Sequence, residues 1–170
     1  MSALIRPYSK EMLSEVSEIF FETSAIKEFK DHSTKEAFFY KYLGYYLEHY
    51  PQLAFVVVDK DVLGYVVAAS DTLAKDLISI QSHLELFSLE INSYPAHLHI
   101  NFHISAQGKG FGRKLVGQVE DVLRAHDIKG LHIMTGEDAQ NRFFYQKLGF
   151  TFQSVKDFQG SGILFMGKLL

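Results

Sequence analysis

The chain has 170 residues, 47% of them hydrophobic and 22% charged, and its formal net charge at pH 7 is -3. This length and apolar content predict a single globular domain over residues 1–170. The small negative charge, without a dense cluster of Lys and Arg, argues against nucleic acid as the main partner.

Features that are absent from the sequence exclude further classes of protein. The chain contains no cysteine, which excludes disulfides, thiolate zinc sites and a cysteine nucleophile. No apolar run reaches the roughly 18 to 20 residues of a membrane span, and residues 1–6 lack the apolar core of a signal peptide. We therefore expect a cytoplasmic protein without a membrane partner.

The hydrophobic periodicity predicts strands and helices that alternate along the chain, which favours an α/β or α+β fold. In chain order we predict a strand over 4–7, a helix over 10–21, an aromatic helix over 34–50, a hairpin of strands over 53–58 and 63–69, a helical insertion over about 70–93, a strand over 98–104, a helix over 112–126, a strand over 131–135, a short helix from Asn141, and closing strands near 151–158 and 163–169.

The segment Gln107-Gly108-Lys109-Gly110-Phe111-Gly112 lies between a predicted strand and a predicted helix. Glycines at alternate positions let the backbone approach a ligand without interference from Cβ atoms, and the following helix points its first free N–H groups toward the same place. A strand, a glycine loop and a helix in this order are typical of phosphate or pyrophosphate binding. Taken alone, the segment also fits a plain glycine-rich turn.

Two other phosphate-binding motifs do not fit these residues. A Walker loop needs Ser or Thr after Gly-Lys, whereas Gly108-Lys109 is followed by Gly110 and then Phe111. A dinucleotide fingerprint needs its third glycine one residue later and an acidic residue on a second strand about 20 residues on. Asp127 lies near that distance, but at a predicted helix end.

A second motif lies downstream in the segment 138–150, which reads DAQNRFFYQKLGF. Asp138 or Asn141 can cap a short helix there, and Gly149 suits a left-handed C-terminal cap. The two motifs in this order resemble the coenzyme A loop and the second signature of the GCN5-related N-acetyltransferase (GNAT) superfamily. The family usually has Asn seven residues before the tyrosine, where this chain has Asp138, so either Asp138 or Asn141 is the candidate for the coenzyme contact.

Resemblance to this family implies a mixed, mostly antiparallel sheet of six or seven strands flanked by helices, with a splayed parallel strand pair at the coenzyme site. It implies acetyl-CoA as the cosubstrate, no metal, and direct transfer of an acetyl group to an amine of a small molecule or peptide. The residues that match the family's coenzyme contacts are Phe102, His103, Ile104, Gln107, Gly108, Lys109, Gly110, Phe111, Gly112, Arg113, Asp138, Asn141, Phe144 and Tyr145.

The resemblance also implies roles in the chemistry. The N–H of Phe102 would polarise the thioester carbonyl, and Tyr145 would protonate the departing thiolate as general acid. In this family the first two helices help to form the acceptor pocket, and the aromatic residues of the predicted helix 34–50 are suited to line it. These same rings could instead belong to the core or to the face of a homodimer.

Three histidines alternate along the strand before the glycine loop, and the predicted strand places His97, His99 and His103 on one face. A neutral imidazole there could accept the substrate proton, and we take His99 and His103 as the candidate catalytic bases, with Glu137 or Asp138 able to assist. Two alternatives remain open: the imidazoles are hydrogen-bonded structural groups, or His97 and His99 bind a metal.

The sequence therefore predicts an acetyltransferase. An alternative from a different class is a module that binds acyl-CoA and senses it without turnover. Retention of the loop glycines and of Tyr145 favours the enzyme.

Overall fold

The computed structural model describes residues 3–170, in which the chain forms seven strands and seven α-helices. The strands are β1 (Leu4–Pro7), β2 (Phe55–Val58), β3 (Val62–Ala69), β4 (Ala96–Phe102), β5 (Gly130–Gly136), β6 (Phe152–Phe158) and β7 (Ser161–Leu169). The α-helices are α1 (Leu13–Thr23), α2 (His32–Phe39), α3 (Tyr45–His49), α4 (Lys75–Ile80), α5 (Ser88–Ser93), α6 (Phe111–Ala125) and α7 (Arg142–Lys147). A π-helical turn (Tyr40–Gly44) joins α2 to α3, and 3₁₀ turns occupy Lys10–Met12, Pro51–Leu53, Ser82–Phe87 and Ile104–Ala106.

The strands form one sheet in the order β1-β2-β3-β4-β5-β7-β6. The pairs β1–β2, β2–β3, β5–β7 and β6–β7 are antiparallel. The pair β4–β5 is parallel, with Ala96 opposite Leu131 and His97 opposite His132. This arrangement confirms the predicted mixed, mostly antiparallel sheet with one parallel pair.

The chain divides into two compact units. The first comprises the described residues up to Ala68 together with His99–Val122, and the second comprises Ala69–Leu98 together with Leu123–Leu170. In the first unit, β2 is buried along its whole length and α1 buries Val16, Ile19 and Phe20, the positions that its helical periodicity predicts. The prediction of a single domain stays a prediction.

The segment predicted as a helical insertion is helical and belongs to the second unit, where it contains α4, a 3₁₀ turn and α5. Its buried side chains include Phe87 and Ile91, which form a cluster with Phe165 of β7. None of the helices between residues 3 and 170 combines the length and apolar character that crossing a membrane requires.

Several predicted element boundaries differ from the structure, and two elements with wrong boundaries contain candidate site residues. The strand predicted over 98–104 ends at Phe102, and Ile104 begins a 3₁₀ turn instead. The aromatic helix predicted over 34–50 begins at His32, changes to a π-helical turn and ends at His49. Both differences affect the position of candidate site residues.

Glu90 joins α5 to β6 through a group of polar contacts. Its carboxylate accepts hydrogen bonds from Lys156 Nζ at 2.9 Å and Ser154 Oγ at 2.9 Å, and Lys156 Nζ also bonds the carbonyl of Leu86 at 2.8 Å. Burial alone would raise the pKa of Glu90, but the bonds from Lys156 and Ser154 hold it below its ordinary value. Because the pKa is lower in the folded state, the ionised carboxylate of Glu90 stabilises the fold at pH values above its pKa in the unfolded chain. This stabilisation is lost as the pH falls through the folded-state pKa.

We expect Glu90→Gln to lower the free energy of unfolding at pH 7 by about 1–2 kcal/mol, because Lys156 loses its charged partner. The difference from the parent protein should shrink as the pH falls below about 4.5, where Glu90 is protonated in the unfolded chain. Urea unfolding between pH 3.5 and pH 7 measures it, with Glu85→Gln as the control from the exposed side of the same segment. A difference that does not change with pH would contradict this account of Glu90.

Candidate active site

The glycine loop follows β4 and leads directly into α6, the longest helix among residues 3–170. Gly108 and Gly110 have φ angles of +73° and +80°, in the left-handed region that residues with a Cβ rarely adopt. A Cβ at either glycine would meet no atom within 4 Å. The glycines are therefore required by the backbone conformation and not by crowding, and the space beside them is open to a ligand.

The beginning of α6 is suited to an anion. Its first N–H groups have no partners inside the helix, its first turn contains no acidic residue, and Lys109 and Arg113 are exposed nearby. Leu115, Val119 and Leu123 are buried along the opposite face and hold the helix in place. The loop and helix thus fit the diphosphate group of coenzyme A, which the resemblance predicts at this position.

The residues between β4 and the loop form a tight turn. The ring of Phe102 lies against Gly64 of β3, in the space that a side chain at residue 64 would need. The N–H of His103 donates to the carbonyl of Leu63 at 3.0 Å, and Gln107 Nε2 approaches the carbonyl of Phe102 at 3.5 Å. Ile104 is 69% exposed.

His99 and Asn101 point toward the helical side of the first unit. His99 Nε2 shares a hydrogen bond of 3.0 Å with the hydroxyl of Tyr46, and its ring lies 6.3 Å from that of Tyr42. Asn101 Nδ2 donates to the hydroxyl of Tyr65 at 2.8 Å. Burial raises the pKa of Tyr65 despite the bond from Asn101, so this phenol keeps its proton.

His103 does not lie on the strand face with His99, because β4 ends one residue earlier. Its Nδ1 accepts the N–H of Ser105 at 3.2 Å and lies 2.7 Å from Ser105 Oγ, while Nε2 lies 3.8 Å from a carboxylate oxygen of Glu22. Because Nδ1 is an acceptor, the neutral ring carries its proton on Nε2, toward Glu22. The prediction that His103 shares the polar strand face is therefore wrong, and its lone pair is occupied by Ser105.

His97 lies in the second unit and is buried. Its Nδ1 is 2.7 Å from the hydroxyl of Thr72, and that hydroxyl donates to the carbonyl of Pro95. The hydroxyl hydrogen is thus used, so Nδ1 of His97 is the donor in their shared bond. The ring of His132 lies 5.4 Å away. His97 is therefore hydrogen-bonded within the second unit.

Tyr145 lies in α7 of the second unit and is 6% exposed. Its ring packs against those of Phe144 and Phe150, at centroid distances of 5.0 and 5.6 Å. Burial raises the pKa of Tyr145, so the phenol is protonated at neutral pH. Gly149 ends α7 with a φ of +93°, as predicted, and Gly149 and Phe150 donate their N–H groups back to the carbonyls of Gln146 and Tyr145.

Asn141, one of the two residues predicted to cap α7, occupies the N-cap position. Its side chain makes no capping bond and instead accepts the hydroxyl of Thr135 at 2.9 Å. Asp138 is exposed in the turn that precedes the helix. Phe144 is half-buried, whereas Phe143 is 46% exposed and so does not belong to the core.

Two cavities in the first unit lie beside Asn101 and His103. One, of about 350 Å³, is lined by residues of α1, of the connection after it and of α2, and by Tyr42 and Asn101. The other, of about 500 Å³, is lined by His103, Ser105 and four carboxylates: Glu15, Glu18, Glu22 and Asp61. Among residues 3–170, no group of three or more His, Asp or Glu side chains is arranged to hold a metal ion.

Some residues of this site have no signal in the sequence. Tyr46 pairs with His99 across 53 positions of the chain, and Tyr65 pairs with Asn101 across 36. Ala25 and Ile26, in the connection between α1 and α2, carry no motif but line the smaller cavity.

The fold and the glycine loop define the class of protein. The chain belongs to the acetyltransferase (GNAT) family, whose model matches residues 10–150. Enzymes of this family use acetyl-CoA and act on amines, and the match confirms the resemblance that the two sequence motifs indicate.

Solved structures share the same fold. The structure named SsHAT is 23% identical, covers 99% of this chain and 98% of its own, and superposes with a TM-score of 0.79. The YncA protein of Salmonella typhimurium, solved with its cofactor acetyl-CoA, is 20% identical over 100% of this chain and 95% of its own, with a TM-score of 0.64. The NatC complex bound to Gag peptide and CoA is 14% identical over 100% and 99%, with a TM-score of 0.69.

The loop assignment is tested by a matched pair of substitutions, Gly110→Asp and Gly110→Asn. The two side chains have nearly the same size and both tolerate the left-handed backbone, so they differ mainly in charge. We expect both variants to bind coenzyme A more weakly than the parent protein, and Gly110→Asp at least 10-fold more weakly than Gly110→Asn, by calorimetry at low salt. Equal affinities for the two variants would show that the diphosphate does not bind at this loop.

Proposed function

We propose that this protein transfers an acetyl group from acetyl-CoA to an amine by direct attack, without a covalent enzyme intermediate. The observation that carries the proposal is the pair of left-handed glycines, Gly108 and Gly110, which open the backbone at the start of α6. When bound, acetyl-CoA supplies an activated acetyl group. The protein has to hold the coenzyme, remove a proton from the amine and supply a proton to the leaving sulfur.

The N–H groups of residues 108–112 hold the diphosphate, and Lys109 and Arg113 add positive charge. Phe102, His103 and Ile104 present their backbone to the pantetheine arm, as their match to the family implies. In support of this, the parallel pairing of β4 with β5 is limited to Ala96 with Leu131 and His97 with His132, near the start of both strands.

Tyr145 is the proposed general acid. A group in this role has to be protonated at the working pH, and burial ensures this by raising the pKa of the phenol. The backbone also fixes the residue, because the carbonyl of Tyr145 accepts the N–H of Phe150 at 3.1 Å.

Replacement of Tyr145 by Phe keeps the ring and removes only the acidic proton. We expect coenzyme affinity to remain within about 3-fold of the parent value and kcat to fall about 10- to 1000-fold. Thiol release with a saturating amine measures the effect, and Tyr40→Phe, at an exposed tyrosine on the π-helical turn, serves as the control. An unchanged kcat would exclude Tyr145 from the chemistry.

His99 is the proposed base, acting directly or through water. Its Nε2 and the hydroxyl of Tyr46 form a pair through which a proton can pass. His103 is less suited, because accepting a proton on Nδ1 would break its bond from the N–H of Ser105. His97 is buried, and its Nδ1 proton is engaged with Thr72.

We expect the kcat/KM of the parent protein to fall below an apparent pKa within about one unit of 6.5, since a protonated imidazole cannot accept the substrate proton. His99→Gln should remove this limb of the pH profile, and His103→Gln should keep it. If His99→Gln keeps this limb of the pH profile, water or Glu137 removes the proton from the amine instead.

The smaller cavity in the first unit is the proposed acceptor site, because Asn101 and Tyr42 line it and the ring of His99 lies beside that of Tyr42.

If acetyl-CoA binds but no amine induces thiol release, the protein is an acyl-CoA sensor and not an enzyme. A panel of amines, polyamines, amino sugars and peptides distinguishes the two functions.

A further inference from the structure

We infer that the acceptor amine carries an aromatic or similarly flat apolar ring, which binds in the smaller cavity of the first unit. This inference rests on the proposed function, since it names the substrate class of the same site. Three observations support it: the aromatic walls, the turn that positions them and the absence of charge.

The walls of the cavity are a continuous set of rings. The ring of Phe20 from α1 lies 5.5 Å from that of Phe38, and the ring of Phe38 lies 5.0 Å from that of Tyr42. Ile26 contributes an aliphatic side chain that is 46% exposed. The volume of about 350 Å³ lies at the lower end of the range for small-molecule sites, about 300–1,000 Å³. A single ring with a short chain therefore fits better than an extended peptide.

The π-helical turn explains why Tyr42 lines this cavity. A π turn inserts one residue into a helix and shifts the direction of the side chains that follow, and such turns occur frequently at functional sites. Here the turn spans Tyr40–Gly44, between Phe38 at the end of α2 and the buried Tyr45 and Tyr46 of α3. Tyr42 thus faces the cavity, while the later tyrosines belong to the core.

The polar groups of the lining are neutral side chains, which belong to Thr23, Ser24, Tyr42 and Asn101. Thr23 donates its hydroxyl to the carbonyl of Ile19 at 2.7 Å, and Asn101 Nδ2 donates to the hydroxyl of Tyr65. The amide oxygen of Asn101 is suited to accept an N–H of the amine.

The charge of the lining excludes a polyamine. None of the described residues that line the smaller cavity has a carboxyl group or a basic side chain, whereas the larger cavity carries Glu15, Glu18, Glu22 and Asp61. A second ammonium group would lose its water of hydration in the smaller cavity and gain no carboxylate. Aromatic walls with neutral polar groups favour a ring-bearing monoamine.

The first experiment compares 2-phenylethylamine with ethylamine, which is the same molecule without the ring. Thiol release is measured at saturating acetyl-CoA, and each rate is expressed per neutral amine because the ring lowers the pKa of the amine. We expect kcat/KM to be about 10- to 150-fold higher for 2-phenylethylamine, the range that corresponds to burial of one large apolar group. Calorimetry with the CoA-loaded protein measures binding of the same two amines without turnover.

The second experiment fills the cavity. Ala25 lines it and is exposed, so Ala25→Trp should lower kcat/KM for 2-phenylethylamine at least 10-fold and lower that for ethylamine by a smaller factor. Ala37→Trp, on the exposed face of α2, is the matched control and should leave both values unchanged. Ile26→Ala is a second test, which removes part of the wall without adding bulk and should lower the preference for the ring several-fold.

Equal use of the two amines, or a preference of 10-fold or more for spermidine or glucosamine, would overturn the inference while leaving the proposed acetyl transfer intact. Binding of 2-phenylethylamine without turnover of any amine would support the ring site and overturn the proposed reaction. Absence of both binding and turnover would overturn both.

Discussion

The candidate site depends first on a backbone constraint, the left-handed conformation at Gly108 and Gly110. These two residues lie in the connection between β4, which ends at Phe102, and α6, which begins at Phe111, and they let the chain turn into the first turn of the helix. The apolar face of α6, with Leu115 and Val119 buried, then fixes the direction of the helix axis. An anion at the loop is held by backbone groups whose positions are determined by the packing of a whole helix.

The glycine loop was predictable because its local backbone conformation restricts the type of residue that can occupy it. A left-handed turn favours glycine, so the positions of the glycines predict the loop at 107–112 and the helix end at Gly149. The end of β4 was not predictable in this way. Residues 98–104 keep an alternating apolar pattern beyond the strand, but the N–H of Ser105 bonds to the ring of His103 and starts a turn.

The surroundings of the histidines could not be read from the sequence for a different reason. Their partners, Tyr46 for His99 and Thr72 for His97, are distant in the chain and become neighbours only in the folded units. The aromatic stretch indicated rings for an acceptor pocket without showing which rings were available. Which rings face the cavity and which belong to the core depends on the π-helical turn, because one inserted residue changes the direction of every side chain after it.

The shortness of α7 has a consequence for the stability of the active enzyme. The helix has six residues, fewer than an isolated helix needs in water, so its persistence depends on its C-terminal cap at Gly149 and on the packing of Tyr145 against Phe150. Such an element can open locally at a lower free-energy cost than the sheet beside it. Opening of α7 would displace the proposed proton donor while β5 and β7 stay paired. The proposed role of Tyr145 therefore implies that catalysis fails at a lower temperature than the one at which the whole protein unfolds.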